Sequence, residues 1–253
     1  MSKVELTVAI ITYNEENDLE KALESVSFAA EIVVVDSFSS DTTVNIARQF
    51  TDKIYTRKFD NFSSQRNFSI EHASYEWVLV IDADETIPAA LQDEITNVVN
   101  TSPRAECAYS IGRSNIFMGR HLKHGGLNKD RVTRLFPRSV RYRSRVHETP
   151  DTGSMPVINL KNKMNHNTYK GYAAMLTKTD KYSTLKARDM YESGYNPTLF
   201  KMLFKPAFRF FRHYILRGGL RDGKPGFVFA SISGLEVFQR LTKVWRMQAG
   251  EEI

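Results

Sequence analysis

The chain has 253 residues, of which 42% are hydrophobic and 25% are charged. This length allows one large domain or one domain with a substantial extension, and the composition excludes wholesale disorder and low-complexity architectures. A single cysteine, Cys107, excludes an intramolecular disulfide and a multi-cysteine metal site, and it favours a reducing compartment. No stretch has the roughly 18 uninterrupted apolar residues of a membrane span. We therefore expect a cytoplasmic protein without a secretion signal.

The positive charge is concentrated at one end of the chain. Residues 200–253 hold ten Lys and Arg against four Asp and Glu, which accounts for the whole net charge of +6. A basic segment after a neutral body predicts contact with an anionic partner, either a phospholipid surface or nucleic acid.

Apolar runs and helix-spaced segments alternate along the first hundred residues. The predicted strands cover residues 6–12, 32–35, 54–55 and 77–81, and the predicted helices follow at 19–26, 44–50 and 63–73. The strong strands are too apolar to have a solvated face, which predicts a parallel sheet covered on both sides. Ligands of such sheets bind at the carboxyl ends of the strands.

The predicted secondary structure changes twice in the remaining sequence. Residues 105–157 have strand-like patterns without regular alternation, and the chain beyond Tyr169 is helical. Pro206 falls inside a predicted helix and should kink or restart it. No GxGxxG and no GxxxxGK[ST] follows any predicted strand, so neither the dinucleotide fingerprint nor the P-loop is present.

Two carboxylates, Asp82 and Asp84, follow the last strong strand one residue apart. They can converge on a hard cation, and Mg²⁺ or Mn²⁺ usually completes its shell with waters and substrate phosphates. The pair predicts a diphosphate held through a metal ion. A solvated turn in which Asp84 caps the next helix is the alternative, but Asn14 and Asp36 are expected on the same rim of the sheet.

Several motifs carry a resemblance to a known family. They are Val8-Ala9-Ile10-Ile11-Thr12-Tyr13-Asn14-Glu15-Glu16, the strand at 32–36 with its Ser/Asp/Thr loop, Gln65-Arg66-Asn67, and Ile81-Asp82-Ala83-Asp84-Glu85. Together they resemble the family 2 glycosyltransferases, which are nucleotide-sugar enzymes of the GT-A fold. Residues 130–136, 146–148 and 218–227 further resemble the branch that builds the inner core of bacterial lipopolysaccharide, typically by transferring glucose onto heptose.

The resemblance implies a fold and a domain organisation. The fold would be α/β, a GT-A sheet of the Rossmann-like nucleotide-diphospho-sugar transferases followed by a C-terminal helical extension. The catalytic domain would cover residues 1–165, with a nucleotide-binding half at 1–104 and an acceptor half at 105–165. Residues 166–253 would form the helical, basic, membrane-associating extension.

The resemblance also implies the residues around the nucleotide sugar: Thr12, Asn14, Glu15, Asp36, Arg66, Asp82 and Arg134. A strand-end Asp can accept the uracil N3 hydrogen, and Glu15 can accept from ribose hydroxyls. The alternative for Glu15 is a favourable charge in the first turn of a helix. For Asp36 we favour function, since a carboxylate at this position has little structural purpose. For Arg134 the alternative is a surface ion pair.

The implied cofactor is Mg²⁺ or Mn²⁺, held by Asp84, Asp82 and His147. An inverting transfer also needs a carboxylate that removes the proton of the acceptor hydroxyl. Asp130, four residues before Arg134, is the preferred base, and Glu148 is the second candidate. His147 could instead form a hydrogen-bonded structural pair with its neighbour.

Aromatic and basic residues recur at helical spacing in the basic segment. The aromatic stripe contains Phe200, Phe204, Phe208, Phe211 and Ile215, and the basic row contains Lys201, Lys205, Arg209 and Arg212. A second helix at 228–247 repeats the pattern. Such faces can lie in an anionic lipid interface, which predicts peripheral attachment to the inner face of the cytoplasmic membrane through residues 200–247. Packing of the stripe onto the catalytic domain is the alternative.

We therefore expect an inverting, metal-dependent glycosyltransferase that uses a UDP-sugar as the donor. It would transfer a hexose, which is glucose by the resemblance, to a lipid-linked oligosaccharide. The accepting residue would be a heptose of the lipopolysaccharide core. A polyprenyl phosphate acceptor is the alternative, and it has no hydroxyl to deprotonate. A nucleic-acid-binding protein would space its aromatic residues for base stacking on a sheet or groove. Helical stripes do not have that spacing, so we expect no nucleic acid partner.

Overall fold

The structure is a computed structural model that describes residues 3–102, 106–127, 130–143, 149–169 and 171–252. The chain forms two compact units. Unit 1 comprises Met1–Arg113 and Asp130–His166, and unit 2 comprises Ser114–Lys129 and Asn167–Ile253.

Strands and helices alternate through the first part of unit 1, as the sequence predicts. In chain order they are β1 (Val4–Thr12), α1 (Leu19–Ser25), β2 (Ala29–Asp36), α2 (Thr43–Ala47), β3 (Ile54–Thr56), α3 (Phe62–Glu71), β4 (Trp77–Asp82), β5 (Glu85–Thr86) and α4 (Ala89–Thr101). The strands that follow are β6 (Ala108–Phe117), β7 (Arg120–His121), β8 (Arg131–Pro137), β9 (Arg141–Tyr142), β10 (Pro150–Asp151) and β11 (Val157–Tyr169).

The main sheet has the strand order β3-β2-β1-β4-β8-β6-β11-β5. The first four strands of this order are parallel, whereas β8 is antiparallel to both β4 and β6, and β11 is antiparallel to β5. The register places Thr12 beside Asp36 and Ile11 beside Asp82. The carboxyl ends of β1, β2 and β4 therefore meet at one edge.

The parallel strands are buried on both faces, which confirms the predicted covering of the sheet. Leu79 and Ile81 of β4 belong to one apolar cluster, whereas Val78 and Val80 belong to the cluster on the opposite face, and all four are fully buried. Each such side chain contributes about 1.5–3 kcal/mol relative to an exposed one. This packing makes the strand ends a rigid support for the polar side chains that follow them.

Unit 2 is mainly helical. It contains α5 (Tyr172–Glu192), α6 (Leu199–Phe211), a π-helical turn at Arg212–Leu216, a 3₁₀ turn at Gly219–Asp222 and α7 (Gly223–Gln248). Helix α6 continues through Pro206 without a restart, so that half of the prediction is wrong, and the kink stays a prediction. Among the described helices we find none whose length and hydrophobicity would let it cross a membrane.

Two glycines allow a tight turn between α6 and α7. A Cβ atom on Gly226 would lie 2.1 Å from the carbonyl oxygen of Gly219, and one on Gly219 would lie 2.7 Å from the carbonyl oxygen of His213. No other residue type fits such contacts without a backbone shift. Close backbone packing thus explains why glycine occupies these two positions of the motif at 218–227.

The basic loop at 121–126 is held in place within unit 2 by hydrogen bonds. The carboxylate of Asp222 accepts hydrogen bonds from the backbone N–H of Lys123 at 3.2 Å and of His124 at 2.8 Å. The Nδ1 atom of His213 lies 2.7 Å from the carbonyl oxygen of Gly125, which accepts its hydrogen. These bonds fix the backbone of the loop.

Candidate active site

Three of the predicted site residues meet at the carboxyl edge of the parallel strands in unit 1. Thr12, Asp36 and Asp82 are the last residues of β1, β2 and β4, and the sheet register sets them side by side. Asp36 is 1% exposed and Thr12 is 5% exposed. The Oγ1 hydroxyl of Thr12 is buried without a hydrogen-bond partner among the residues that the structure describes. The edge therefore retains unused hydrogen-bonding capacity.

The carboxylate of Asp36 organises the loop after β2. Its Oδ2 accepts from the backbone N–H of Ser39 at 2.8 Å, and its Oδ1 accepts from the Ser39 hydroxyl at 2.5 Å. The side chain of Asp36 therefore has a structural role, which we did not expect from the sequence. Contact with the nucleoside stays a prediction for this residue.

The loop after β1 is tied to the same loop. Asn14 has a positive φ of 52°, and its side-chain oxygen accepts from the backbone N–H of Ser40 at 2.8 Å. The backbone N–H of Glu15 donates to the hydroxyl of Thr43 at 2.7 Å. An Asn tolerates the left-handed backbone better than most residues. These contacts bring Asn14 and Glu15 to the edge that carries Asp36.

Asp82 is bound by two buried arginines. Its Oδ1 accepts from Nη2 of Arg66 at 2.8 Å, and its Oδ2 accepts from Nη2 of Arg134 at 2.6 Å. Arg134 also donates to Oε1 of Glu85 at 3.0 Å, and Glu85 is fully buried. Arg134 is therefore not the surface ion pair of the alternative interpretation. We call Arg66, Asp82, Glu85 and Arg134 the buried charge cluster.

The charge cluster shifts the titration of both acids. Burial alone would raise the pKa of Asp82, but the guanidinium groups of Arg134 and Arg66 outweigh it and hold that pKa well below its usual range. Burial raises the pKa of Glu85, against the opposing effect of Arg134 and with a further increase from Asp82. Asp82 therefore stays ionised, with both oxygens already engaged by guanidinium groups.

Asp84 lies beside a histidine that the sequence analysis did not single out. Strand β11 pairs with β5 so that His166 is opposite Glu85, and Nε2 of His166 lies 3.5 Å from Oδ2 of Asp84. Both side chains are largely buried, at 11% and 22% exposure. The position predicted to supply the histidine ligand, His147, lies outside the described residues. A carboxylate oxygen and an imidazole nitrogen thus face each other after the strand end.

Asp130 is oriented by Arg113 through two hydrogen bonds. Nε of Arg113 donates to one carboxylate oxygen at 2.8 Å and Nη2 donates to the other at 2.9 Å. Nη1 of the same arginine lies 3.7 Å from Glu85, which links Asp130 to the buried charge cluster. The Asp130 side chain is 28% exposed. Glu148, the other candidate base, lies outside the described residues.

Asp84 and His166 fit a divalent cation whose other ligands are substrate phosphates and waters. In the part of the chain that the structure describes, no group of three or more His, Cys, Asp or Glu side chains is placed to hold a metal ion. Asp84 and His166 supply one oxygen and one nitrogen donor. Mg²⁺ and Mn²⁺ sites that hold substrate phosphates commonly use few protein ligands.

Known proteins are similar to this chain in sequence and in fold. The family model for Glycosyl transferase family 2 matches residues 7–117. The chain is similar to the lipopolysaccharide core biosynthesis glycosyltransferase LpsC of Rhizobium meliloti, with 30% identity over 98% of this chain and 94% of that protein. It is also similar to an uncharacterised glycosyltransferase of Rickettsia conorii, with 28% identity over 94% of this chain and 89% of that protein.

Two solved structures support the fold. A mannosyltransferase from Pyrobaculum calidifontis, in complex with GDP-mannose and Mn²⁺, has a TM-score of 0.51 and 16% identity, covering 97% of this chain and 88% of that chain. Staphylococcus aureus TarS, in complex with UDP-GlcNAc, has a TM-score of 0.50 and 14% identity, covering 99% of this chain and 93% of that chain. The predicted GT-A fold is confirmed.

Proposed function

Because the chain belongs to glycosyltransferase family 2, as its motifs predicted, we propose that it transfers a hexose, glucose in our assignment, from a UDP-sugar to a heptose of a lipopolysaccharide core. The transfer inverts the anomeric configuration and depends on a divalent cation. The observation that carries this proposal is the edge of unit 1 at which the buried charge cluster adjoins Asp84 and His166. The core acceptor is supported by the similarity to LpsC along almost the whole chain.

The cation would be held by Asp84 and His166. When bound, it neutralises charge on the departing diphosphate. Asp82 is assigned to a different task, since Arg66 and Arg134 already occupy both of its oxygens. Its ionised carboxylate fixes the two guanidinium groups in place, and Nε of Arg134 has no hydrogen-bond partner among the described residues. The positive charge of Arg134, held at the sheet edge by Asp82 and Glu85, would attract the anionic diphosphate.

The nucleoside would lie against the ends of β1 and β2. Asp36 holds the loop there through Ser39, and each carboxylate oxygen can accept a further hydrogen bond, such as that of uracil N3–H. Glu15 would accept from the ribose hydroxyls, and the Oγ1 hydroxyl of Thr12 provides one more polar group. Asn14 positions the two loops relative to each other.

The base in our proposal is Asp130. Its two bonds to Arg113 keep the carboxylate oriented, and the remaining lone pairs can accept the proton of the attacking hydroxyl. Removal of that proton makes the acceptor oxygen a stronger nucleophile as the diphosphate leaves. Glu148 remains the second candidate.

Asp130→Asn should lower kcat by at least about 10²-fold, the usual contribution of general-base catalysis. UDP-sugar binding should be retained, because the amide keeps the shape of the side chain and one acceptor for Arg113. Steady-state transfer to purified core oligosaccharide, with UDP affinity measured by calorimetry on the same samples, checks this.

Glu148→Gln is the comparison variant for that experiment. If it loses transfer while Asp130→Asn remains active, the two roles are exchanged. If both variants transfer at the wild-type rate, neither carboxylate is the base, and an acceptor without a hydroxyl to deprotonate, such as a polyprenyl phosphate, becomes the better assignment.

The second part of the proposal places unit 2 on an anionic membrane surface at the inner face of the cytoplasmic membrane. Helix α6 has no buried residue, and Phe200, Phe204 and Phe208 are 72%, 54% and 46% exposed. Their rings form a continuous stack, with centroids 5.5 Å and 5.9 Å apart. Within unit 2 this stripe is therefore not used for packing, and an amphipathic lipid interface suits it.

Changing Lys201, Lys205 and Arg212 to Gln should weaken binding to anionic vesicles by about 3 kcal/mol, at roughly 1 kcal/mol for each charge. Activity on a soluble acceptor analogue should persist. Vesicle co-sedimentation at several salt concentrations measures the effect. Added salt screens the attraction between the basic residues and the lipid, so it should weaken wild-type binding as the substitutions do. The matched control replaces the exposed Lys21, Lys161 and Lys181, which lie outside α6 and the turn that follows it, by Gln. Equal losses in both triple variants, or no loss in either, would refute attachment through α6.

A further inference from the structure

The turn between α6 and α7 carries apolar and basic side chains that alternate along the chain. Leu216 and Leu220 are 63% and 58% exposed, so unit 2 covers less than half of either side chain. Arg217 and Arg221, each one residue further on, are exposed as well. A single exposed Leu is ordinary, but several exposed apolar side chains set among cations mark an interaction surface.

This turn is held against the basic loop at 121–126 of the same unit. The backbone N–H of Gly125 donates to the carbonyl oxygen of Arg217 at 2.9 Å. The guanidinium group of Arg217 lies against Gly126, since a Cβ atom on that glycine would be 2.5 Å from Nη1. We call residues 120–127 and 212–224 the loop junction. Because its backbone is already fixed, a partner can bind it at little cost in conformational entropy.

The loop junction holds far more positive than negative charge. It contains six Lys and Arg and one acid, Asp222, which gives a net charge of +5. The side chain of Asp222 is 7% exposed, and it is engaged by the backbone N–H groups of Lys123 and His124 and by the His124 ring. In the described parts of the chain, no carboxylate lies within 4.0 Å of any of the six basic side chains. All six are exposed: Arg120, Lys123, Arg212, Arg217, Arg221 and Lys224.

Several of these cations lie close to one another. Burial lowers the pKa of His213, a hydrogen bond to a backbone carbonyl opposes this, and nearby guanidinium groups lower it further. Those groups belong to Arg217, Arg209 and Arg212, so three cations act on one buried imidazole. Like charges at such separations repel each other and destabilise the free protein. A negatively charged partner would relieve this repulsion.

We propose that the loop junction is a second contact with an anionic phospholipid surface, separate from the aromatic stripe of α6. Leu216 and Leu220 enter the lipid interface, while Arg217 and Arg221 bind headgroup phosphates. An anionic bilayer offers negative charge directly above an apolar layer, which matches basic residues that alternate with exposed leucines. The inference rests on the proposed membrane attachment and extends it to a second segment of unit 2.

The first test places a fluorescent reporter in the turn. Leu220→Trp is made in the full-length protein together with Trp245→Phe, and the tryptophan that remains, Trp77, is 1% exposed inside unit 1. On vesicles of phosphatidylglycerol and phosphatidylcholine, the emission should shift to shorter wavelength, and lipids with brominated acyl chains should quench it. Leu185→Trp in the same background is the matched control, because Leu185 is an exposed leucine of α5. Its emission should not change.

The second test removes charge from the loop junction. Each basic residue near an anionic surface contributes about fivefold to binding, so a triple variant should bind these vesicles about 10²-fold more weakly. Its substitutions are Lys123→Gln, Arg217→Gln and Arg221→Gln. The control is the triple variant of Lys21, Lys161 and Lys181, which should bind as wild type. The melting temperature, with and without UDP, verifies folding in each sample. If the triple variant does not fold, Arg221→Gln alone decides, with an expected loss of about fivefold.

The proposal is overturned if Leu220→Trp shows no emission shift while the protein sediments with the vesicles. It is also overturned if the loop-junction variant binds as tightly as its control. Loss of binding only in the α6 variant would keep the attachment through α6 and reject the loop junction. Loss only in the loop-junction variant would keep this proposal and reject α6 as the attachment site. The failure of one contact is therefore distinguishable from the failure of the other.

Discussion

Asp84→Asn is expected to lower kcat by about 10³- to 10⁴-fold, since a cation at a departing diphosphate stabilises the transition state by several kcal/mol. The carboxylate lies 3.5 Å from His166, and both side chains are held after the end of a buried strand. An amide at this position loses the negative charge that a hard cation prefers. UDP binding should lose its metal-dependent part, which calorimetry with and without Mn²⁺ measures directly.

Variants of His166 and His147 decide which imidazole is a ligand of the proposed cation site at Asp84. His166→Ala should reproduce the loss of metal-dependent UDP binding, whereas His147→Ala should leave it largely intact. Asp93→Asn, an exposed acid on α4, is the charge-matched control and should behave as wild type. The assignment of Asp84 and His166 is wrong if Asp84→Asn keeps metal-dependent binding, or if His147 and not His166 is required.

Arg134→Met is expected to lower the free energy of unfolding by about 3–5 kcal/mol, the usual cost of removing one member of a buried ion pair. The substitution leaves Asp82 with Arg66 alone and removes the hydrogen bond at 3.0 Å to the fully buried Glu85. Methionine fills most of the volume, so the loss reports mainly on charge. Urea denaturation at neutral pH measures it.

The pH dependence of that loss follows from the lowered pKa of Asp82. A carboxylate with a depressed folded-state pKa stabilises the wild type above its unfolded pKa, and this contribution is lost as the pH falls through the folded value. The difference between wild type and Arg134→Met should therefore shrink on acidification. Adding Asp82→Asn and Glu85→Gln to the variant should recover part of the stability. A loss below about 1 kcal/mol at neutral pH, typical of a surface pair, would contradict the buried cluster.

The edge of the sheet was predictable because it depends on short-range patterns. The β-branched run before Thr12 and the run before Asp82 specify strands, and parallel pairing then aligns their ends. The aromatic stripe of α6 was predictable for the same reason, since helical spacing alone sets Phe200, Phe204 and Phe208 on one face.

The partners of these residues were not predictable from spacing. His166 reaches Asp84 only because β11 pairs with β5, about eighty residues away in the chain, and no local motif marks that register. Glu85 looked like one more acid in a polar turn, yet the pairing of β5 buries it completely against Arg134. The bidentate contact of Arg113 with Asp130 depends likewise on the antiparallel pairing of β6 and β8.

We propose that Asp84 and His166 hold a divalent cation that helps bind UDP at the sheet edge of unit 1. The most direct test is the melting temperature of wild type with UDP or GDP, in Mn²⁺ or in chelator. A ligand at one hundred times its Kd stabilises the folded state by about 2.7 kcal/mol. We predict a clear rise for UDP with Mn²⁺, a smaller rise for GDP, and only the smaller, metal-independent part of the rise for UDP in chelator or in Asp84→Asn. Equal stabilisation by UDP with and without Mn²⁺, or stronger stabilisation by GDP, would contradict the account.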